Sequence, residues 1–122
     1  MPIWNATRNK DLPAELKDFE EAVLSGNIVM TASVTALVHP GDVPIALSDV
    51  LRRHIALDEA HLCADDAEAN RDALEHGDRV MTVYENVQLR GGKSIDRLWV
   101  ITDAGWKDSP HRVTTILLPE DY

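Results

Sequence analysis

The C-terminal third of the chain holds three stretches rich in β-branched and aromatic residues, and turn-forming residues separate them. They cover 79–85, 97–103 and 112–122, and this composition is typical of strands. We expect a long hairpin connection over 86–95 and a second loop over 104–111. Three strands in succession predict an antiparallel meander formed by residues 78–122.

Earlier in the chain, apolar residues recur at the spacing of helices over 11–24, 46–57 and 64–75. Asp11 is placed to cap the first helix, and Gly77 to end the last. Residues 28–31 are typical of a short strand. The Val and Thr content of 32–38 favours a longer strand, whereas Thr31 as a cap favours a short helix, which we expect.

These elements predict a single α+β domain over residues 1–122. An antiparallel β-meander of three to four strands is expected to pack against three to four N-terminal helices. Residues 1–10 are expected to form an irregular arm, with Trp4 against the edge of the core or, as the alternative, exposed as an anchor for a partner. Residues 11–77 make up the mainly helical part, and 78–122 the meander.

Composition and charge narrow the functional classes. The chain has 122 residues and a formal net charge of −9, which argues against direct binding of nucleic acid or an anionic membrane. Cys63 is the only cysteine, so an intrachain disulfide is excluded and a reducing compartment is favoured. No apolar run has the length of a signal peptide or a membrane span. We expect a cytoplasmic protein.

The strongest local signal is acidic. Residues 58–78 contain eight acidic residues and one basic residue, Arg71, which gives this stretch a charge of −7. Several of the carboxylates recur at spacings of three and four, which places them on one side of a helix. We treat seven residues as a candidate partner-binding surface, the acidic ridge. They are Asp58, Glu59, Asp65, Asp66, Glu68, Asp72 and Glu75. The alternative is a solvated helix face without a partner.

Three further residues are candidates for chemistry. His61 and Cys63 lie near carboxylates, but their spacing matches no zinc pattern. His54 lies on an apolar helix face, where a hydrogen-bonded, partly buried histidine is commoner than a ligand. Cys63 is expected to be a small buried hydrophobic residue. No phosphate-binding glycine loop is present, so we assign no catalytic, cofactor-binding or metal-binding residue and expect no cofactor.

Several segments occur in an order that carries a family resemblance. They are LRRH (51–54), Asp65, Asn70, Ala73-Leu74, Gly77, Arg79-Val80, LWVITD (98–103) and TTILLPEDY (114–122). In these the chain resembles a family of small uncharacterised bacterial proteins encoded on plasmids and integrated elements. The resemblance covers about 26–122, and TTILLPEDY is its most specific part. It implies a mobile-element context and no residue-specific chemistry.

These observations favour a non-enzymatic interaction protein. Its acidic ridge would imitate the phosphates of nucleic acid and occupy a basic groove on a host or defence protein, as anti-CRISPR and anti-restriction proteins do as a class. One alternative is a small enzyme acting on a nucleotide or nucleic acid through His54, His61 or Cys63. Another is an antitoxin-like inhibitor. We expect a monomer or a homodimer, in which an exposed edge strand at 28–31 or 112–118 would pair with a second copy.

Overall fold

The computed structural model describes residues 14–38, 48–58, 62–89, 93–108, 110 and 112–122. The arm at 1–10, with Trp4, and the expected cap at Asp11 lie outside these ranges. The elements run in the order α1 (Ala14–Ser25), β1 (Asn27–Met30), α2 (Ala32–Leu37), α3 (Ser48–Ile55), α4 (Ala64–His76), β2 (Val80–Gln88), β3 (Ser94–Thr102) and β4 (Val113–Leu117). A 3-10 helix at Pro119–Asp121 follows. The predicted α+β class is confirmed.

The sheet has the strand order β1-β4-β3-β2. Neighbouring strands β2, β3 and β4 are antiparallel, as the meander predicts. β1 instead runs parallel to β4, with Asn27 opposite Val113 and Met30 opposite Ile116. The sheet is therefore mixed rather than antiparallel throughout. Because β4 lies between β1 and β3, the expectation of a free edge at 112–118 is wrong, and the edges are β1 and β2.

The hairpin between β2 and β3 is longer than the sequence predicts. The pairs Val87–Ile95 and Gln88–Ser94 extend the ladder into both ends of the stretch expected to be a connection. Asn86 takes a positive φ of 54°, a conformation that asparagine tolerates better than most residues. Around it the buried side of β2 switches from even to odd positions. The sequence predicts shorter strands because 86–95 contains no aromatic residue and few β-branched ones.

The predicted helices are found in the described part of the chain, although the helix expected over 46–57 ends at Ile55 and residues 56–57 form a turn. Thr31 caps α2, since its hydroxyl accepts a hydrogen bond from the backbone N–H of Val34 at 3.4 Å. Gly77 ends α4 with φ at 73°, the left-handed conformation that favours glycine. At the C-terminus the strand ends at Leu117 and Pro119 begins the 3-10 helix, which agrees with the expectation that this proline stops the strand within the 112–122 stretch.

Two apolar clusters form the core. In the first, side chains of α2 and α3 pack against the strands: Val34, Val38, Val50, Tyr84, Val87, Ile95, Leu98, Val100 and Ile116. In the second, α1 and α4 pack around Trp106: Leu16, Phe19, Ala22, Val23, Leu57, Ala73, Leu74, Val80 and Trp106. Helix α4 also covers part of the β2 edge, where the Asn70 amide donates to the Met81 carbonyl and accepts from the Met81 N–H, at 2.6 and 3.1 Å.

Candidate partner-binding surface

Helix α4 presents its carboxylates to solvent. Ala67, Asn70, Ala73 and Leu74 are buried and define the side of the helix that faces the protein. The spacing of Asp65, Glu68, Asp72 and Glu75 places them on the opposite side, and all four are exposed. Asp66, in the first turn, is exposed as well. The pattern of acidic residues therefore corresponds to a continuous solvent-facing surface on this helix.

These five carboxylates have no cationic partner among the residues that the structure describes. The ion pairs found there join Arg52 to Asp49, Arg53 to Asp58, and Arg97 to Glu85. Lys107 approaches the end of α4, but its ammonium group donates to the Glu75 backbone carbonyl at 2.7 Å. Unlike a salt-bridged helix face, this one keeps its charges available.

Two members of the acidic ridge stand apart from α4. Asp58 accepts from the Arg53 guanidinium at 2.9 Å, in a pair whose side chains are only 21% and 30% exposed. Leu57, which directly precedes Asp58, has a left-handed φ of 57° and turns the chain back towards Arg53. Asp58 N–H and Leu57 N–H then bond back to the Arg53 and His54 carbonyls, the pattern of a Schellman motif. Glu59 lies outside the described residues.

His54 is enclosed in the core rather than placed at a surface site. Its ring is fully buried, with Nδ1 2.7 Å from the Thr82 hydroxyl and Nε2 2.8 Å from the Thr102 hydroxyl. Thr102 continues the chain of polar groups to Thr114 at 2.8 Å. Burial lowers the pKa of His54 to about 3, so the ring is neutral near neutral pH. The interpretation of His54 as a buried, hydrogen-bonded histidine is confirmed.

Cys63 contradicts its prediction, because it is exposed rather than buried. It occupies the N-cap position of α4 without a side-chain cap hydrogen bond, and Ala64, Asp65 and Asp66 beside it are exposed too. His54 cannot act as its base, since threonine hydroxyls occupy both ring nitrogens. His61 lies outside the described ranges. Within those ranges, no three His, Cys, Asp or Glu side chains converge as metal ligands.

A cleft of about 220 Å³ lies where α1 meets the 104–108 loop, and it is lined by Asp18, Glu21, Ala22, Trp106, Lys107 and Arg112. Its two cations already bond to the protein backbone. Lys107 donates to the Glu75 carbonyl, and Arg112 Nε donates to the Trp106 carbonyl at 2.9 Å. These two cations therefore hold the loop against α4 and the start of β4. Because the cleft contains both acidic and basic side chains, it does not form a binding site for ligands of one charge.

The C-terminal residues Asp121 and Tyr122 make contacts that hold the end of the chain against α2 and the sheet. The Asp121 carboxylate accepts hydrogen bonds from the Thr31 and Ser33 hydroxyls, each at 2.7 Å. Together with the Leu118 N–H, these bonds lower the pKa of Asp121. Tyr122 packs edge-on against Trp99 with ring centroids 5.5 Å apart. The chain end therefore ties α2 to the sheet.

The fold and this surface define a small α+β protein with an acidic helix on its outside. Comparisons with protein-family models, with curated proteins and with solved structures found no match. The family resemblance therefore stays a prediction. No helix in the described part of the chain has the length and apolar character needed to cross a membrane.

Proposed function

We propose that the protein is a non-enzymatic, cytoplasmic interaction protein of a mobile genetic element. The α4 part of its acidic ridge, from Asp65 to Glu75, binds a basic groove on a host or defence protein and competes there with nucleic acid. The observation that carries this proposal is the set of exposed carboxylates on α4, none of them paired with a cation among the described residues. A net charge of −9 adds long-range attraction to a basic partner.

The spacing of these charges suits imitation of a nucleic-acid strand. Asp65 and Glu75 are ten residues apart on α4, which corresponds to about 15 Å of helix at a rise of about 1.5 Å per residue. One strand of DNA carries about four phosphates over that length. Asp65, Glu68, Asp72 and Glu75 supply the same number of negative charges on one side of the helix. The rigid helix also fixes their positions before binding, which reduces the entropy lost on association.

The test removes the charges while preserving the fold. The variant combines Asp65→Asn, Asp66→Asn, Glu68→Gln, Asp72→Asn and Glu75→Gln. A matched control neutralises five exposed acidic residues elsewhere: Glu20, Asp96, Asp103, Asp108 and Glu120. Both variants have the same net charge, so a difference between them reports the position of the charges.

The measurement is capture of partners from a host lysate at low and high salt, with identification of the bound proteins. We expect wild type and control to retain a basic, nucleic-acid-binding partner that a double-stranded DNA oligonucleotide displaces. Capture should fall at least about tenfold in the α4 variant and at high salt. A partner bound equally by the α4 variant, or one that DNA does not displace, would exclude the proposal.

A further inference from the structure

Strand β1 has a backbone edge that no described residue covers. Its other edge pairs with β4, where the Asn27 N–H donates to the Arg112 carbonyl at 2.8 Å and the Thr31 N–H donates to the Ile116 carbonyl at 3.1 Å. Because backbone groups alternate along a strand, those of Ile28 and Met30 point away from β4. In the described ranges β1 is the last strand on this side of the sheet.

The chain segment that contains this edge is itself uncharged, although the Asp121 carboxylate lies at its end on the Thr31 and Ser33 hydroxyls. Residues 22–38 contain no Asp, Glu, Lys, Arg or His, although 27% of the whole chain is charged. Of the five large hydrophobic residues exposed in the described part of the chain, four lie in this segment: Leu24, Ile28, Val29 and Leu37. Leu24 is in the last turn of α1 and Leu37 ends α2, so they flank the strand on both sides along the chain.

Protein edge strands usually carry a charge, a proline, a bulge or a cover that prevents pairing with another chain. On the opposite edge of this sheet, the Asn70 amide occupies both backbone groups of Met81. β1, with the sequence NIVM, has neither a charged residue nor a proline. The two edges therefore differ: β2 carries the Asn70 contact, the charged residue Glu85 and the positive φ of Asn86, whereas no such feature is found on β1 among the residues described.

We infer that β1 is the interface of a homodimer, in which it pairs antiparallel with β1 of a second copy. Two copies that each carry −9 repel one another, and residues 22–38 give them an uncharged place to meet. The strand is also self-complementary, because Ile28 and Met30 are the residues that bond outwards. A two-fold axis through Val29 pairs Ile28 of each copy with Met30 of the other. The product is a continuous eight-stranded sheet.

Such a dimer is small and reversible. The paired strands add about four backbone hydrogen bonds and cover the exposed Ile28 and Val29 side chains. An interface of this size belongs to the weak end of the specific range. The inference is independent of the proposed function, since it involves the opposite, uncharged part of the surface.

The first experiment measures the mass of the full chain by sedimentation equilibrium over a concentration series. We expect the mass to rise from the 13.6 kDa monomer towards twice that value. Val29→Lys and Val29→Glu each place like charges opposite one another, and should weaken the dimer at least about tenfold. An equimolar mixture of the two variants should restore it, because opposite charges then face each other. Thermal unfolding by circular dichroism checks that both variants fold.

The second experiment tests the register. In a Cys63→Ser background, Val29→Cys places two thiols across a non-hydrogen-bonded pair, where Cα atoms lie about 4.5 Å apart and a disulfide forms readily. Mild oxidation should cross-link this variant, and should not cross-link the control Ala69→Cys, at an exposed position on α4. A wild-type protein that stays monomeric at the highest concentration overturns the inference. So does a dimer that the Val29 charges leave unchanged.

Discussion

At the scale of single residues, a chain of buried polar groups crosses the core through Thr82, His54, Thr102 and Thr114. A buried polar group is tolerated when its hydrogen bonds are satisfied. A neutral imidazole has one N–H donor and one acceptor nitrogen, and the two threonine hydroxyls fulfil both requirements. A protonated ring would have two donors and a charge away from water. The arrangement therefore stabilises the neutral form.

This arrangement predicts a dependence of stability on pH. The pKa of His54 falls from 6.5 to about 3 on folding, so between these values the unfolded chain binds a proton that the folded chain does not. The stabilisation is fully present above pH 6.5 and decreases as the pH falls towards 3, by up to about 1.4 kcal/mol per pH unit. Urea unfolding from pH 7 to pH 4 measures it.

The matched variant is His54→Gln, which keeps a donor and an acceptor but does not titrate. The unfolding free energy of this variant should depend less steeply on pH than that of wild type. The difference in slope should be about 1.4 kcal/mol per pH unit, which corresponds to the uptake of one proton on unfolding. The carboxylates contribute equally to the pH dependence of both proteins. The difference between the two slopes therefore reports the titration of His54. Parallel slopes in the two proteins would show that His54 is not neutralised by burial.

At the scale of elements, Gly26 determines how closely β1 can follow α1. A Cβ at this position would lie 2.6 Å from the Arg112 carbonyl oxygen and 2.9 Å from the Ala22 carbonyl oxygen. Both are backbone atoms, so relief requires α1 or β4 to move. We expect Gly26→Ala to lower the free energy of unfolding by about 1–3 kcal/mol, as measured by urea denaturation. The control Asn27→Ala, at the exposed neighbouring position, should change it much less.

Elements with a local signature were predicted from the sequence, and elements fixed by distant contacts were not. α4 follows from its apolar spacing and from Gly77, which ends it. The parallel pairing of β1 depends on where residues 113–117 fall in the sheet, and nothing near Asn27–Met30 encodes it. The stretch 86–95 contains few β-branched residues and two glycines, so its composition predicts a connection where the paired strands in fact continue.

In the candidate site, too, some features follow from local sequence and others do not. The exposure of the α4 carboxylates follows from helical spacing, because the buried and acidic positions have the same period in opposite phases. The pairing of Asp58 with Arg53 depends on the left-handed turn at Leu57, a conformation that leucine rarely adopts and that its sequence does not signal. The exposure of Cys63 depends on the first turn of α4 projecting into solvent, which periodicity alone does not reveal.

At the scale of the whole molecule, charge is distributed unevenly between two surfaces. The α4 surface carries five exposed carboxylates, whereas residues 22–38 around β1 carry no charge. Association through the first surface is driven by attraction to a cation-rich partner, and salt weakens it. Association through the second brings two anionic molecules together, and salt strengthens it by screening their repulsion. One protein should therefore show opposite salt responses at its two surfaces.

The salt response of the β1 surface can be measured from the self-association of the protein. Raising the salt from about 0.05 M to about 0.5 M shortens the Debye length from roughly 14 Å to roughly 4 Å, so the dissociation constant of the wild-type dimer should fall several-fold in sedimentation equilibrium. The variant with all five α4 carboxylates neutralised should dimerise more tightly at low salt, with a flatter salt response, because its net charge is five units less negative. A wild-type dimer that salt dissociates would indicate an interface held by ion pairs. That result is incompatible with pairing through an uncharged strand.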